Sequence, residues 1–300
     1  MYEHELLHEL LERYEAGERD FSGLELEECH LSDSILIGIN LSNADFQTAS
    51  FIETHLDRAN LTCGSFPSGD FWGTYAIDAN FSYANLTGAE LSYANLTGAN
   101  LTEVDLTGAN LTGTILIGAN LTNANLTDVI TTEETIVYYT TRPDGNLIIN
   151  SSRGLDAKKL LSHYAAGRRN FEKVILHQVD LSGVELLDVD MHWAHFSNCN
   201  LSNATLSGDW YGVHFINCDL RGARLDCCYL KGARFLYTDM RGAKGYSDIS
   251  YTSYIGVNFQ DAEFSGHSES PLFYYNVILE DGFFLQGPSD YPHRPKEKLS

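Results

Sequence analysis

The stretch ANFSYANLTGAELSYANLTGANL, residues 79–101, carries Phe or Leu at every fifth position and Ala two residues before each of them. A period of five fits neither ordinary element. Five residues advance a helix by about 500°, so the leucines form no stripe, and in a flat strand an odd period sends successive leucines to opposite faces. The stretch therefore predicts a backbone that turns a corner every five residues.

The same period extends far beyond this stretch. Stepping by five from Phe21 to Leu126 meets 22 positions, of which 21 are Leu or Phe, and only Ala76 departs. Repeats are sought before other patterns because they decide the architecture. We predict a first repeat array over about residues 21–130.

A second, less regular array follows. It begins at Phe171 and loses one residue before Trp210 and another within KGYSDISYTSY, residues 244–254. We predict that this array covers about residues 171–266.

Each array has the same flanks, so the chain reads as a duplication. LLERYEAGERDF (10–21) matches LLSHYAAGRRNF (160–171), and each is predicted to end a capping helix at its glycine. Residues 135–149 and 272–285 both read as strand, Asp-Gly turn and strand, which predicts a closing hairpin. In the first helix, one apolar face is formed by Leu6, Leu7, Leu10, Leu11 and Tyr14. We predict domains at 1–152 and 153–300, with a loose tail over 288–300.

The segment ANLTGANLTEVDLTGANLTG, residues 94–113, resembles the pentapeptide-repeat family, whose motif is A(D/N)LXX. The resemblance implies an all-β solenoid, a right-handed quadrilateral β-helix with four corners and 20 residues per coil, with the Leu and the preceding Ala pointing inward. The segment SHYAAGRRNF, residues 162–171, is also similar to the cap of a cyanobacterial regulator of heterocyst differentiation in that family. Together with the long Ala-Asn-Leu-Thr run, this favours a cyanobacterial origin.

A coil of 20 residues predicts ladders of outward side chains 20 positions apart. Such a ladder would stack side-chain amides, with neighbouring hydroxyls two residues on. Its members are Asn40, Asn60, Asn80, Asn100 and Asn120.

Two clusters of side chains are candidate sites. His192, His195, Cys199, His214 and Cys218 suggest a metal, but the register stacks His195 on His214 facing outward and Cys199 on Cys218 facing inward. These side chains cannot converge on one ion as a closed site requires, so no metal ligand is predicted. No catalytic motif or dinucleotide fingerprint is present, and no catalytic or cofactor-binding residue is predicted.

The second cluster is basic. Arg221 is predicted to stack on Arg241, and Arg224 on Lys244, one coil apart. One interpretation is a solvated face partly neutralised by nearby aspartates. The other is a docking patch for an acidic partner protein.

Charge and composition limit the function. The net charge is −22, and residues 1–150 hold 23 acidic residues against four arginines and no lysine. Such a chain is repelled by phosphate backbones, so direct nucleic-acid binding is not expected. The acidic N-terminus, the absence of a long apolar run and the six scattered cysteines favour a cytosolic protein without a signal peptide or membrane span.

The sequence predicts a non-enzymatic interaction scaffold or regulator with an unknown protein partner, either monomeric or dimeric through an array end. Two alternatives stay open. One is a DNA-mimicking modulator of DNA gyrase, an activity known in the family; the other is a metal- or small-molecule-dependent enzyme.

Overall fold

A computed structural model gives the fold and describes residues 2–26, 29–148, 153–265 and 273–286. The chain divides into two compact units, Met1–Ser151 and Ser152–Ser300. The first contains α1 (Tyr2–Glu15), β1 (Thr140–Thr141) and β2 (Leu147–Ile148). The second contains α2 (Ala157–Ala165), β3 (Ile175–His177), β4 (Glu185–Asp190), β5 (His195–Ser197), β6 (Thr205–Asp209), β7 (His214–Ile216), β8 (Cys228–Tyr229), β9 (Arg234–Leu236), β10 (Lys244–Tyr246), β11 (Ser253–Ile255), β12 (Glu263–Ser265), β13 (Phe273–Tyr275), β14 (Val277–Ile278) and β15 (Phe284–Leu285).

The first unit is a β-solenoid whose coils stack in parallel with a repeat of 20 residues. Asn40 bridges Asn60, Asn60 bridges Asn80, and the same step repeats along the walls up to the last pairings, Ile115↔Ile136 and Asn120↔Thr141, where it is 21. The amide of Leu41 donates to the carbonyl of Asn60 at 2.7 Å. The predicted solenoid and its coil length are confirmed.

Each corner is a β-turn within the pentad. The amide of Ala44 donates to the carbonyl of Leu41 at 3.1 Å, and Asn43 between them has φ 57°. A positive φ at the third residue is what a type II turn requires. Because the turn begins at the large apolar residue and ends at the small one, both side chains point inward.

The core confirms this direction. Leu and Phe at the five-residue positions are almost completely buried, including Phe81 and Leu101, and Ala76 is buried as well. The phenyl rings stack from coil to coil, with Phe51 and Phe71 centred 4.8 Å apart. Burial of each such side chain contributes about 1.5–3 kcal/mol before the entropy of ordering is subtracted.

The second unit has the same plan with two shortened steps. β5 pairs with β7 as His195↔His214, a step of 19, and β9 pairs with β11 as Arg234↔Ser253, also 19, whereas the other pairings of this sheet have a step of 20. One wall forms a six-stranded sheet in the order β13-β11-β9-β7-β5-β3. The two predicted one-residue losses are therefore confirmed.

Gly208 accommodates the first of these losses. Its φ is +112°, and a Cβ there would overlap the carbonyl oxygen of Val189 and lie 2.6 Å from its amide nitrogen. The pairing of β4 with β6 shifts register between Leu186 and Val189. Only a glycine lets the shortened strand approach its neighbour this closely.

Helices precede both arrays and antiparallel hairpins follow them. β1 pairs with β2 and β14 with β15, as the Asp-Gly turns predict. Of the predicted apolar face of α1, Leu10 and Tyr14 are buried, whereas Leu6 is 42% exposed. Leu6 lies one turn further from the coils than Leu10 and has less to pack against. The predicted repeat end at 266 and the tail lie outside the described residues.

The predicted amide ladder forms in segments. Asn60 donates to Asn40 at 2.9 Å and Asn100 donates to Asn80 at 3.0 Å, but Asn120 donates to Thr102 instead. Each asparagine oxygen also accepts from the amide two residues on, and those of Asn60, Asn100 and Asn120 accept from the threonine hydroxyl there as well. This local bond competes with stacking between coils.

Candidate functional site

The basic patch consists of Arg221, Arg224, Arg241 and Lys244 on adjacent coils of the second unit. Arg221 follows Asp219, and Arg241 follows Asp239, at equivalent positions that are bridged coil to coil through the two aspartates. Each guanidinium turns back on its own aspartate, with Nη2 2.6 Å from a carboxylate oxygen in both cases. The two arginines therefore occupy equivalent positions on adjacent coils, with the two aspartates beside them.

The other two cations are paired differently. Arg224 bridges Lys244 through the backbone, and its Nη2 lies 2.9 Å from Asp226. The Nζ of Lys244 donates to Glu263 on the next coil at 2.8 Å. All four predicted docking residues are thus ion-paired within their own unit.

These pairs set the electrostatics of the patch. The hydrogen bond from Arg221 holds the pKa of Asp219 below its usual value, and the neighbouring charge of Arg241 acts in the same direction. The side chains of Arg221 and Arg241 are still 54% and 46% exposed. Exposed pairs contribute little to stability, typically about 0–1 kcal/mol. The patch presents alternating charges to solvent, with guanidinium groups oriented by their aspartates.

The repeat geometry above matches a known family. The family model described as pentapeptide repeats matches residues 25–62, 70–102, 89–128, 170–208 and 211–244, which is more than half of the chain. The chain belongs to the pentapeptide-repeat family.

Several solved pentapeptide-repeat proteins are similar to it. HetL, a protein involved in heterocyst differentiation regulation from the cyanobacterium Nostoc, is 21% identical over 93% of this chain and 98% of its own, with a TM-score of 0.38. A protein from the cyanobacterium Cyanothece is 29% identical over 42% of this chain and 95% of its own, with a TM-score of 0.26. One from the thylakoid lumen of Arabidopsis thaliana is 30% identical over 37% and 71%, with a TM-score of 0.22. No curated protein matches the chain.

In this pentapeptide-repeat protein, the two cysteines of the cluster that suggested a metal site are part of the solenoid wall. Cys199 and Cys218 are buried at the inward small-residue position, and their thiols face the carbonyls of Leu176 and Phe196 at 3.3 and 3.4 Å. Burial raises the pKa of the Cys218 thiol well above its usual value. Thr54 makes the same contact in the first unit, with its hydroxyl donating to Leu31 at 2.7 Å. A small donor at this position ties one coil to the preceding one.

The histidines of that cluster separate as the register predicts. His195 and His214 flank the inward Phe196 and Phe215 and meet edge to face, with ring centres 4.7 Å apart. Both Nδ1 atoms are buried, and neither has a hydrogen-bond partner among the residues that the structure describes. Burial lowers the pKa of both rings, to about 4 for His214, and the neighbouring His214 and Arg153 lower that of His195 further. The sequence places these rings outside the core but does not reveal that they are enclosed.

A buried polar group in the first unit escaped the sequence analysis. The side chain of Asp57 is completely buried, accepts from the amide of Ile77 at 3.0 Å and lies 3.3 Å from Nδ1 of His55. The signal was available, because Asp57 follows an inward leucine where other coils carry Ile77, Thr97 and Ile117. A charge in that column needs a partner.

The described part of the chain holds neither a metal-binding cluster nor a membrane-spanning helix. Among residues 2–26, 29–148, 153–265 and 273–286, no group of three or more His, Cys, Asp or Glu side chains is placed to hold a metal ion. The helices within these ranges are too short or too polar to cross a bilayer.

Proposed function

We propose that this pentapeptide-repeat protein is a non-enzymatic interaction scaffold that binds a protein partner through the basic patch. The observation that carries the proposal is the column geometry: Arg221 and Arg241 repeat one coil apart, each held by a bidentate contact to its own aspartate. A guanidinium has five N–H donors, and the aspartate uses only those on Nε and Nη2. Partner carboxylates spaced at about the 4.8 Å coil repeat would meet the remaining donors.

The compartment is part of the proposal. Cys63 and Cys227 are exposed free cysteines, as a reducing environment allows. This supports a cytosolic protein, of cyanobacterial origin according to its repeat pattern.

Charge reversal tests the patch. Arg221→Glu with Arg241→Glu is compared with Lys158→Glu with Lys159→Glu, an equal charge change on the exposed face of α2. Affinity purification from an isotope-labelled cyanobacterial extract measures the amount of each protein that binds a variant, relative to the amount that binds the parent protein. We expect recovery of the partner to fall about tenfold with the patch variant, which corresponds to a loss of about 1.4 kcal/mol in binding free energy. Recovery with the α2 variant should be unchanged. Equal recovery from both variants contradicts the proposal.

A gyrase supercoiling assay separates the scaffold from a DNA mimic. The Asn80 and Asn100 column of the first unit is uncharged and hydrogen-bonded to its own turns, which resembles a phosphate backbone poorly. We expect supercoiling to be unchanged across a titration of the protein. Inhibition or protection of gyrase favours the mimic instead.

A further inference from the structure

An exposed stripe of aromatic side chains crosses four coils of the second unit. We call Trp193, Tyr211, Tyr229 and Tyr251 the aromatic stripe. Trp193 meets Tyr211 edge to face at 5.2 Å, and Tyr211 stacks on Tyr229 at 6.3 Å between ring centres. Lys231 lies 5.3 Å from the ring centre of Tyr251. Trp193, Tyr229 and Tyr251 are 45%, 40% and 51% exposed. Large aromatic side chains grouped on a surface mark binding sites.

The stripe is held rigidly. The ring of Trp193 lies over Gly212 on the next coil, where an added Cβ would come within 2.6 Å of it. The amide of Trp193 donates to Tyr211 and that of Gly212 to Lys231, at 3.0 Å each. A ligand therefore meets rings that are already placed, which lowers the entropic cost of binding.

One edge of the stripe is acidic. Asp190, Asp209, Tyr229 and Asp248 form a continuous ladder from coil to coil. His192 lies between the first two carboxylates, 2.7 Å from Asp190 and 3.4 Å from Asp209. The three carboxylates along this edge outnumber the one nearby lysine, Lys231, and so favour a cationic ligand.

The coil spacing matches a polyproline II helix. Two coil steps rise about 9.6 Å, and one turn of polyproline II, three residues at about 3.1 Å each, rises about 9.3 Å. Prolines three residues apart would therefore meet rings two coils apart, such as Trp193 and Tyr229. Proline-rich segments bind aromatic-lined grooves in this way.

The chain itself contains such a ligand. The segment YPHRPKEK, residues 291–298, has Pro292 and Pro295 three residues apart and the cations Arg294, Lys296 and Lys298. We propose that this tail docks in cis on the aromatic stripe as a polyproline II helix, with its cations against the acidic ladder. The site and its occupant both belong to the second unit.

The length of the tail permits this. Pro292 lies six residues after Gln286, the last residue described, and an extended chain spans up to about 20–22 Å over that length. The four pairings from β5 through β7, β9 and β11 to β13 rise only about 19 Å.

Zero-length carbodiimide cross-linking of the full chain tests the proposal, since it joins a lysine amine to a carboxylate in contact. Peptides are identified by mass spectrometry from an equal mixture of ¹⁴N- and ¹⁵N-labelled protein. We expect cross-links from Lys296 or Lys298 to Asp209 or Asp248, in which both peptides carry the same nitrogen isotope. No such cross-links, or mixed-label pairs alone, would overturn docking in cis; mixed-label pairs would indicate a second copy as the occupant.

Variants separate proline recognition from simple charge attraction. Pro292→Ala with Pro295→Ala keeps every charge and leaves the folded coils untouched, and we expect it to reduce the cross-links about tenfold. Trp193→Ala with Tyr229→Ala is expected to do the same. The matched control is Trp72→Ala with Tyr93→Ala, which removes a comparably exposed aromatic pair from the first unit and should leave the yield unchanged. Unchanged cross-links in the proline variant would overturn the proposal.

Discussion

The guanidinium of Arg19 lies over the ring of Tyr14, 3.9 Å from its centre, and donates to the carbonyl of the same tyrosine at 2.7 Å. Arg169 and Tyr164 repeat this arrangement in the second unit at 4.0 and 2.9 Å. In each unit the arginine satisfies a carbonyl near the helix end while Gly17 or Gly167 leaves the helix with positive φ. The duplication thus preserves a physical contact as well as a sequence pattern.

Loss of this contact should loosen the helical caps unequally. Because Tyr14 is buried, whereas Tyr164 is only partly buried, we expect Arg19→Ala to lower the free energy of unfolding by about 1–2 kcal/mol and Arg169→Ala by less. Urea unfolding measures the loss, and hydrogen exchange places it at the cap of the altered unit. Lys159→Ala on exposed α2 is the control, with an effect within about 0.5 kcal/mol. Equal protection of both caps in the variants would contradict this role.

Gly208→Ala should be far more damaging than Gly108→Ala. Both glycines have positive φ, but a Cβ at Gly208 meets the backbone of Val189, whereas one at Gly108 meets nothing within 4 Å. We expect Gly108→Ala to cost about 1 kcal/mol through φ alone, and Gly208→Ala to cost at least about 3 kcal/mol because backbone must move. Thermal unfolding of the two variants checks the difference, and similar melting temperatures would show that the shortened step does not need glycine.

Acid should weaken the second unit through its buried histidines. The pKa of His214 is about 4 in the folded protein and that of His195 is also lowered, against an ordinary value of 6.5. The unfolded chain therefore binds more protons than the folded one between these values. The stabilisation is complete above pH 6.5 and is lost as the pH falls through about 4, which for His214 amounts to about 3 kcal/mol.

Urea unfolding at pH 7.5, 5.5 and 4.5, values that span roughly the range between the two pKa values, measures the loss in the free energy of unfolding. His214→Leu should flatten the profile, while His8→Gln, at a side chain 70% exposed, should leave it unchanged. If the free energy of unfolding of the parent protein is constant through this pH range, His195 and His214 are not the acid-sensitive element.

Two substitutions at Asn100 separate the ladder from the turn. Its amide donates to Asn80 at 3.0 Å, and its oxygen accepts from the amide and hydroxyl of Thr102 at 3.2 and 2.7 Å. Asn100→Ala removes both interactions and should cost about 1–2 kcal/mol. Asn100→Asp keeps the acceptor, as Asp105 does in its own turn, and should cost about half as much. Equal losses in chemical denaturation would assign the whole effect to the contact between coils.

The solenoid could be predicted from the sequence because a period of five over 22 positions, with only Ala76 departing, indicates a corner every five residues, and the resemblance to pentapeptide repeats implies four corners per coil. The contacts of the stacked arginines could not, since a side chain as long as that of Arg221 chooses among neighbours at similar distance, here its own aspartate. The enclosure of His195 and Asp57 also escaped prediction. Periodicity reports which side of the wall a residue occupies, and that alone does not fix its contact with water.

The coil length of 20 residues restricts how such a protein can change in evolution. Duplicating one whole coil keeps every later side chain on its own wall and lengthens the solenoid by one coil. An insertion of another size rotates all later coils against the earlier ones, unless a residue as permissive as Gly208 absorbs the mismatch. Growth by whole coils of 20 residues therefore keeps the walls aligned, whereas a step of another length needs a local adjustment, as at Gly208.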